Sequence, residues 1–238
     1  MKNKALVILS GGLDSTTLLY WALKNYKEVI AISFDFGQSY IQPENNERIM
    51  FQNNIVELSC AKKTCQKLNI KHYIVNMSFL NETLKQMQEN EKRFNGEIIN
   101  HQPKTCMPFR NMILLSSSLG IGELEMVDDI LTGYQTQDQH GYWDTSEKFV
   151  NAINNVASLN PVKKINVLAP FAKMNKDEEI KIGLELGVDY KDTWTCYNPI
   201  KEGDEFLCCG SCPACKDRLL NFKKLGLKDP LKYVKGKN

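Results

Sequence analysis

The segment Ser10-Gly11-Gly12-Leu13-Asp14-Ser15-Thr16 carries the residue types and spacing most suggestive of chemistry. It follows the apolar run Ala5 to Leu9 and precedes the helix-like stretch Thr17 to Leu23. Strand, glycine turn and helix in that order form an anion cradle. The glycines let the backbone turn tightly and approach a ligand, while the N–H groups and positive dipole end of the new helix attract negative charge. A nucleotide phosphate is the expected occupant. A Walker A loop would require G-x-x-x-x-G-K-[ST], and no lysine follows Gly12, so this loop is of another kind. A plain glycine turn before an α/β helix accounts less well for serines on both sides.

The second constellation is Cys196, Cys209, Cys212 and Cys215, a C-x12-C-x2-C-x2-C array with Gly210 in its first short knuckle. Four thiolates at that spacing can close a tetrahedral site, and an all-cysteine zinc site is usually structural. Cys208 is an alternative to Cys209, but Cys209 gives the two-residue gap with glycine inside it. A four-cysteine iron–sulfur cluster also fits such gaps, and the colour of the purified protein separates the two. The radical-SAM-like spacing Cys208-x3-Cys212-x2-Cys215 lies behind the glycine loop, at the wrong end of the chain for that chemistry.

Two cations stand where an anionic ligand would suit them. Arg110 falls at a helix start, where the dipole disfavours a cation unless an anion accompanies it. Lys176, in Asn175-Lys176-Asp177-Glu178, could reach a departing phosphate; equally, Asn175 and Glu178 make a capping-box pair that would leave Lys176 solvated. Asp144 opens a helix whose Phe149, Ile153 and Val156 form an apolar stripe, so capping alone explains it.

These groups need a scaffold. Strand-like runs at Ala5–Leu9, Val29–Phe34, His72–Val75, Ile130–Thr132 and Ile165–Leu168 alternate with helical patterns. That alternation predicts an α/β fold, a doubly wound parallel sheet. Ligands bind beyond the carboxyl ends of such strands, where Ser10–Ser15, Asp35–Ser39 and Gly133–Asp144 follow directly. The polar stretch between Phe79 and Pro108 is expected as a surface excursion, Lys232–Asn238 as a solvated basic tail, and Cys65, spaced with Leu58, Ala61 and Leu68, as a core residue. The expected organisation is a nucleotide-binding domain over 1–190 and a C-terminal metal-binding helical segment over 191–238.

With 238 residues and 42% hydrophobic composition the chain can bury one substantial core plus a small appendage. Thirty basic and 28 acidic residues leave a net charge of +2, which gives no electrostatic grip on nucleic acid. No signal-like segment or run of about 20 apolar residues is present, so a cytoplasmic protein with neither membrane nor nucleic-acid partner is expected. Eight cysteines in a reducing compartment point to metal or redox chemistry.

The glycine loop resembles the SGGxDS PP-loop of the N-type ATP pyrophosphatases. Together with Phe34-Asp35-Phe36-Gly37-Gln38, Pro108-Phe109-Arg110-Asn111, Asp138 to Asp144, Thr195-Cys196-Tyr197-Asn198 and Cys209-Gly210-Ser211-Cys212-Pro213-Ala214-Cys215, it resembles the 7-cyano-7-deazaguanine synthase family of the queuosine pathway. The resemblance implies an adenine nucleotide alpha hydrolase-like PP-loop fold, one structural Zn²⁺ on the four cysteines, ATP with Mg²⁺, and a homodimer. It implies a ligase that converts 7-carboxy-7-deazaguanine and ammonia to the nitrile through an adenylated carboxylate and an amide, releasing AMP and pyrophosphate.

Residue by residue, the resemblance implies ATP contacts at Ile8, Leu9, Ser10, Gly11, Gly12, Leu13, Asp14, Ser15, Thr16, Thr17 and Leu18, with Asp14 holding Mg²⁺. Asp14, Arg110 and Lys176 are the implied catalytic set, and Phe34, Asp35, Gln38, Asp138, Tyr142 and Asp144 the implied substrate contacts. His140 is expected as an exposed loop residue. The chain departs from the family pattern where Phe109 replaces glycine, Trp143 replaces proline, Ser39-Tyr40 replaces a basic pair and Thr136 replaces glutamate. Those departures motivate a variant that stops at the amide or uses another carboxylate. A PP-loop tRNA thiolase and a zinc-ribbon nucleic-acid adaptor are the other classes consistent with the motifs.

Overall fold

The structure, a computed structural model, describes residues 2–37, 54–80, 109–135 and 142–235. Five strands form one parallel sheet: β1 (Lys2–Ile8), β2 (Tyr26–Asp35), β3 (His72–Asn76), β4 (Asp129–Leu131) and β5 (Asn166–Leu168), in the order β3-β2-β1-β4-β5. The central β1 is apolar without a break over Ala5–Ile8 because helices cover both its faces. Its alternating side chains divide accordingly, Leu6 into one core cluster and Ala5 and Val7 into the other.

Helices α1 (Leu13–Asn25) and α2 (Asn54–Lys67) cover one face through Leu18, Leu19, Ala22, Ala61 and Cys65. Helices α3 (Arg110–Leu124) and α4 (Glu147–Ala157) cover the other through Leu115, Phe149, Val150 and Ile153. The doubly wound parallel sheet and the core position of Cys65 are as expected. One detail differs: α4 turns Ala157 inward and leaves Val156 64% exposed, since Phe149, Val150, Ile153 and Ala157 make the better 3.6-residue stripe. Ser146, not Asp144, caps α4, accepting from the Phe149 N–H at 3.2 Å.

Past β5 come α5 (Lys176–Glu185), a two-stranded hairpin of β6 (Ile200–Glu202) and β7 (Glu205–Leu207), and α6 (Pro213–Lys224). The hairpin leaves little trace in the sequence, because its strands are short and mostly exposed and carry no apolar alternation. Arg218 on α6 is one of the largest fully buried side chains among the described residues. It donates to Asp229 at 2.8 Å, to the Thr193 and Thr195 hydroxyls and to the Tyr190 carbonyl.

The start of the expected basic tail is pinned: Cys208 N donates to the Lys232 carbonyl at 2.8 Å, Val234 N donates back to the Cys208 carbonyl, and Lys232 pairs with Glu205. Of the expected surface excursion, Leu80 is buried in the core while Phe79 is exposed, and residues 81–108 lie outside the described residues. Among the described residues no helix is long and apolar enough to cross a membrane.

Candidate functional site

The chain runs from β1 to β2 and β3 on one side and returns to β4 on the other, so the strand order reverses between β1 and β4. Crevices at such reversals, beyond the strand carboxyl ends, are where open α/β sheets bind ligands. A cavity of about 420 Å³ opens there, lined by Ile8, Ser10, Gly12, Leu13, Asp14 and Ser15 after β1 and by Thr132, Gly133 and Tyr134 after β4. Glu57, Lys176, Trp194, Thr195, Tyr197, Pro213, Ala214 and Asp217 complete the wall.

The loop holds its own shape. Ser15 Oγ accepts from the Ser10 N–H at 3.1 Å and lies 2.9 Å from Ser10 Oγ, which in turn accepts from the Gly12 N–H at 3.1 Å. Gly12, the N-cap of α1, has no side chain to occupy the first-turn N–H groups, and it lines the cavity with Leu13, Asp14 and Ser15, as an anion site at a helix start requires. Gly11 has φ +91°, and a Cβ there would stand 2.0 Å from the Glu57 carbonyl oxygen. Only glycine permits both that backbone and the close seating of α2 on the loop.

Lys176 is in the cavity and the capping box is also formed: Asn175 and Glu178 cap α5, while the Lys176 side chain, 15% exposed, extends to Asp14 Oδ2 at 3.5 Å and Asp217 Oδ2 at 3.1 Å. The capping box forms as expected, but it does not leave Lys176 solvated. Asp14 Oδ1 is buried without a hydrogen-bond partner among the described residues, an orphan acceptor that suits a divalent cation. Glu57 faces the cavity from α2, and burial pushes its carboxyl up to about 8 while Arg110, at the start of α3, pulls it the other way.

The four cysteines converge as expected. Their sulfurs lie within 4.8 Å of one another and all four residues are buried, with Cys209 in the set and Cys208 outside it. The Cys209 N–H donates to Cys196 Sγ, the Ser211 and Cys212 N–H groups to Cys209 Sγ, and the Cys215 N–H to Cys212 Sγ. Gly210 supplies the knuckle turn at φ +66°. This donor set can hold a metal ion. It is joined to the loop, because Trp194, two residues before Cys196, donates its N–H to the Gly11 carbonyl at 3.0 Å.

A family model described as "Queuosine biosynthesis protein QueC" matches residues 4–226. The chain belongs to the QueC family. It is similar to the 7-cyano-7-deazaguanine synthase of Clostridium kluyveri, 38% identical over 97% of this chain and 98% of that one. It is also similar to the synthase of the same name from Marinomonas sp., 32% identical over 98% of this chain and 99% of that one. Among solved structures, the U34-tRNA thiolase NcsA from Methanococcus maripaludis with its [4Fe-4S] cluster aligns at a TM-score of 0.47 and 20% identity, covering 94% of this chain and 66% of that chain.

In this QueC family chain, several side chains of the Ile8–Leu18 stretch are occupied within the protein. Leu9 and Leu18 are fully buried in the core beneath α1. Thr17 is turned to Tyr190, its hydroxyl 2.8 Å from the tyrosine's, and Thr16 is buried.

The implied substrate contacts divide. Phe34 is buried in the core, and Asp35 accepts from the Gly37 N–H at 2.9 Å at the end of β2. Asp144 is buried: its Oδ2 accepts from the Asn111 N–H at 3.2 Å, and Asn111 donates back to the Asp144 carbonyl. Its carboxylate thus satisfies a first-turn N–H of α3. Tyr142 is half-buried. Gln38, Asp138, Thr136, His140 and Ser39-Tyr40 lie outside the described residues.

Glu57, Trp194 and Asp217 were not singled out from sequence. For Asp217 a signal existed, since it lies two residues after Cys215 on the helix that the cysteine site anchors.

Proposed function

We propose that this chain joins ammonia to 7-carboxy-7-deazaguanine at the expense of ATP and carries the product on to 7-cyano-7-deazaguanine. A carboxylate on an electron-rich ring is a poor electrophile, so it must first acquire a leaving group. Its oxygen attacks the α-phosphorus of ATP and pyrophosphate departs. Ammonia then displaces AMP to give the amide, and a second ATP activates the amide oxygen for elimination to the nitrile.

The residues at the head of the sheet have matching tasks. The first-turn N–H groups of α1 with Ser10 and Ser15 hold phosphate oxygens, and Lys176 offsets charge on the departing pyrophosphate. Asp14 and Asp217 would hold Mg²⁺, which supplies further neutralisation of phosphate charge when bound. Arg110 presents a planar fork to the substrate carboxylate, with Asp35 and Tyr142 offering polar groups to the heterocycle.

Cys196, Cys209, Cys212 and Cys215 fit zinc. With Zn–S near 2.3 Å, a tetrahedral site sets its sulfurs about 3.8 Å apart, compatible with the span of 4.8 Å; a four-iron cube holds its thiolates farther apart. Zinc there has a structural role, keeping Trp194 and Asp217 at the cavity.

The observation carrying this reading is the meeting, in one cavity, of the Ser10–Ser15 loop, Lys176 and the residues leading into the cysteine site. Incubation with Mg·ATP, ammonium and 7-carboxy-7-deazaguanine, followed by mass spectrometry, tests it. The nitrile with AMP is expected; unchanged acid and no AMP refute it, and accumulated amide identifies the variant halted half-way.

A further inference from the structure

Three acidic residues among the described residues line the cavity, and they are not equivalent. Asp14 and Asp217 both pair with Lys176. Glu57 has no ion pair among the described residues, and α2 holds it in place by resting its backbone on Gly11 at a separation no side chain could occupy. Arg110, at the start of α3, acts on it through its charge, Cys60 lies one turn on along its own helix, and Asp14, Lys176 and Asp217 stand elsewhere in the same cavity wall.

The reaction proposed above has a proton requirement that phosphate-binding groups do not meet. Ammonia brings three protons on nitrogen and the nitrile keeps none. We propose, on the strength of that reading, that Glu57 is the catalytic proton acceptor for the reacting nitrogen.

In amide formation the N–C bond forms, the C–O bond to AMP breaks with its electron pair leaving on AMP, and one N–H proton passes to the Glu57 carboxylate. In dehydration the amide oxygen bonds to the α-phosphorus of the second ATP, pyrophosphate leaves, and one N–H proton passes to Glu57. The C–O bond then breaks, AMP departs with the former amide oxygen, and the last N–H proton follows the same route. Glu57 returns each proton to solvent through the cavity mouth. A base serves best when its pKa lies near the working pH, and burial raises Glu57 to about 8.

The test separates the steps in Glu57→Gln, with Glu57→Asp as a companion that keeps the charge. With acid and Mg·ATP but no ammonium, the pyrophosphate burst of Glu57→Gln is expected within about threefold of the parent. On adding ammonium, amide formation, and separately the conversion of supplied amide to nitrile, fall by about 10²–10⁴. At fixed free-ammonia concentration the parent's amide-forming rate rises with pH through about 8, a rise that Glu57→Gln loses and Glu57→Asp keeps. Ammonia capture in Glu57→Gln within threefold of the parent overturns the assignment of Glu57 alone, as does an equal loss of the burst. No burst in the parent overturns the functional reading and this assignment with it.

Discussion

Lys176 Nζ stands 3.1 Å from Asp217 Oδ2, so a lysine opening α5 meets an acid that the cysteine-anchored helix α6 brings to the same cavity. ATP carries several negative charges into that space and must take Lys176 from its carboxylate partners. Lys176→Met is expected to lower kcat/KM for ATP by about 10- to 100-fold, the equivalent of one charge-assisted hydrogen bond of roughly 1.5–3 kcal/mol. Asp217→Asn is expected to tighten ATP binding in the absence of Mg²⁺, because one like charge is gone. Steady-state kinetics of Lys176→Met and calorimetric titration of Asp217→Asn check the pair.

Arg218 and Asp229 are both buried, and Arg218 also ties the Tyr190 carbonyl and two threonine hydroxyls to α6. Arg218→Met leaves Asp229 without that cation in the interior and is expected to destabilise the protein by about 3–5 kcal/mol. Arg218→Lys is expected to recover little, since an ammonium cannot reproduce the fork. Denaturant unfolding curves measure both.

Phe109 holds a left-handed backbone, φ +53°, at the start of α3, and its ring packs edge-to-face on Trp143 at 5.4 Å. For a bulky residue that backbone costs about 1–2 kcal/mol, and the ring pair returns about 0.5–1.5 kcal/mol. The two departures from the family pattern are therefore in contact, each offsetting part of what the other introduces. A double-mutant cycle of Phe109→Gly and Trp143→Ala is expected to give a coupling of about 0.5–1.5 kcal/mol in stability. Additivity would dissociate them.

Cys212→Ser is expected to lose the bound metal and loosen the C-terminal segment, since metal binding there is also folding energy. Cys208→Ser is expected to keep full metal content, because Cys208 lies outside the converging set. Elemental analysis of the two purified variants decides between Cys208 and Cys209, and a colourless parent protein supports zinc over iron.

Glu125, tied to Lys71, Tyr73 and Lys4, has its carboxyl lowered to about 2. A depressed folded-state pKa adds stability above the unfolded value, near 4.3, that is lost as pH falls toward 2. Glu125→Gln is expected to shed less stability than the parent between pH 4 and pH 2, as followed by thermal melts.

The features legible in the sequence share a cause. Ala5–Leu9 and Ile130–Thr132 announce buried parallel strands because both faces must be apolar, and the cysteine spacing announces a metal site because thiolate geometry leaves few alternatives. Side-chain direction was less legible. Asp144 sits in a motif that capping and ligand binding explain equally well, and its bond to Asn111 spans 33 residues that no local pattern encodes. Glu57 was hidden for the same reason: its place at the cavity depends on how α2 seats against Gly11, a contact made only when the chain has folded.

Oxygen transfer tests the central claim most directly. With both carboxylate oxygens of 7-carboxy-7-deazaguanine labelled with ¹⁸O, attack on the α-phosphorus held by the Ser10–Ser15 loop puts the label in AMP and leaves pyrophosphate unlabelled. Label in orthophosphate beside ADP, or AMP free of label, would contradict it.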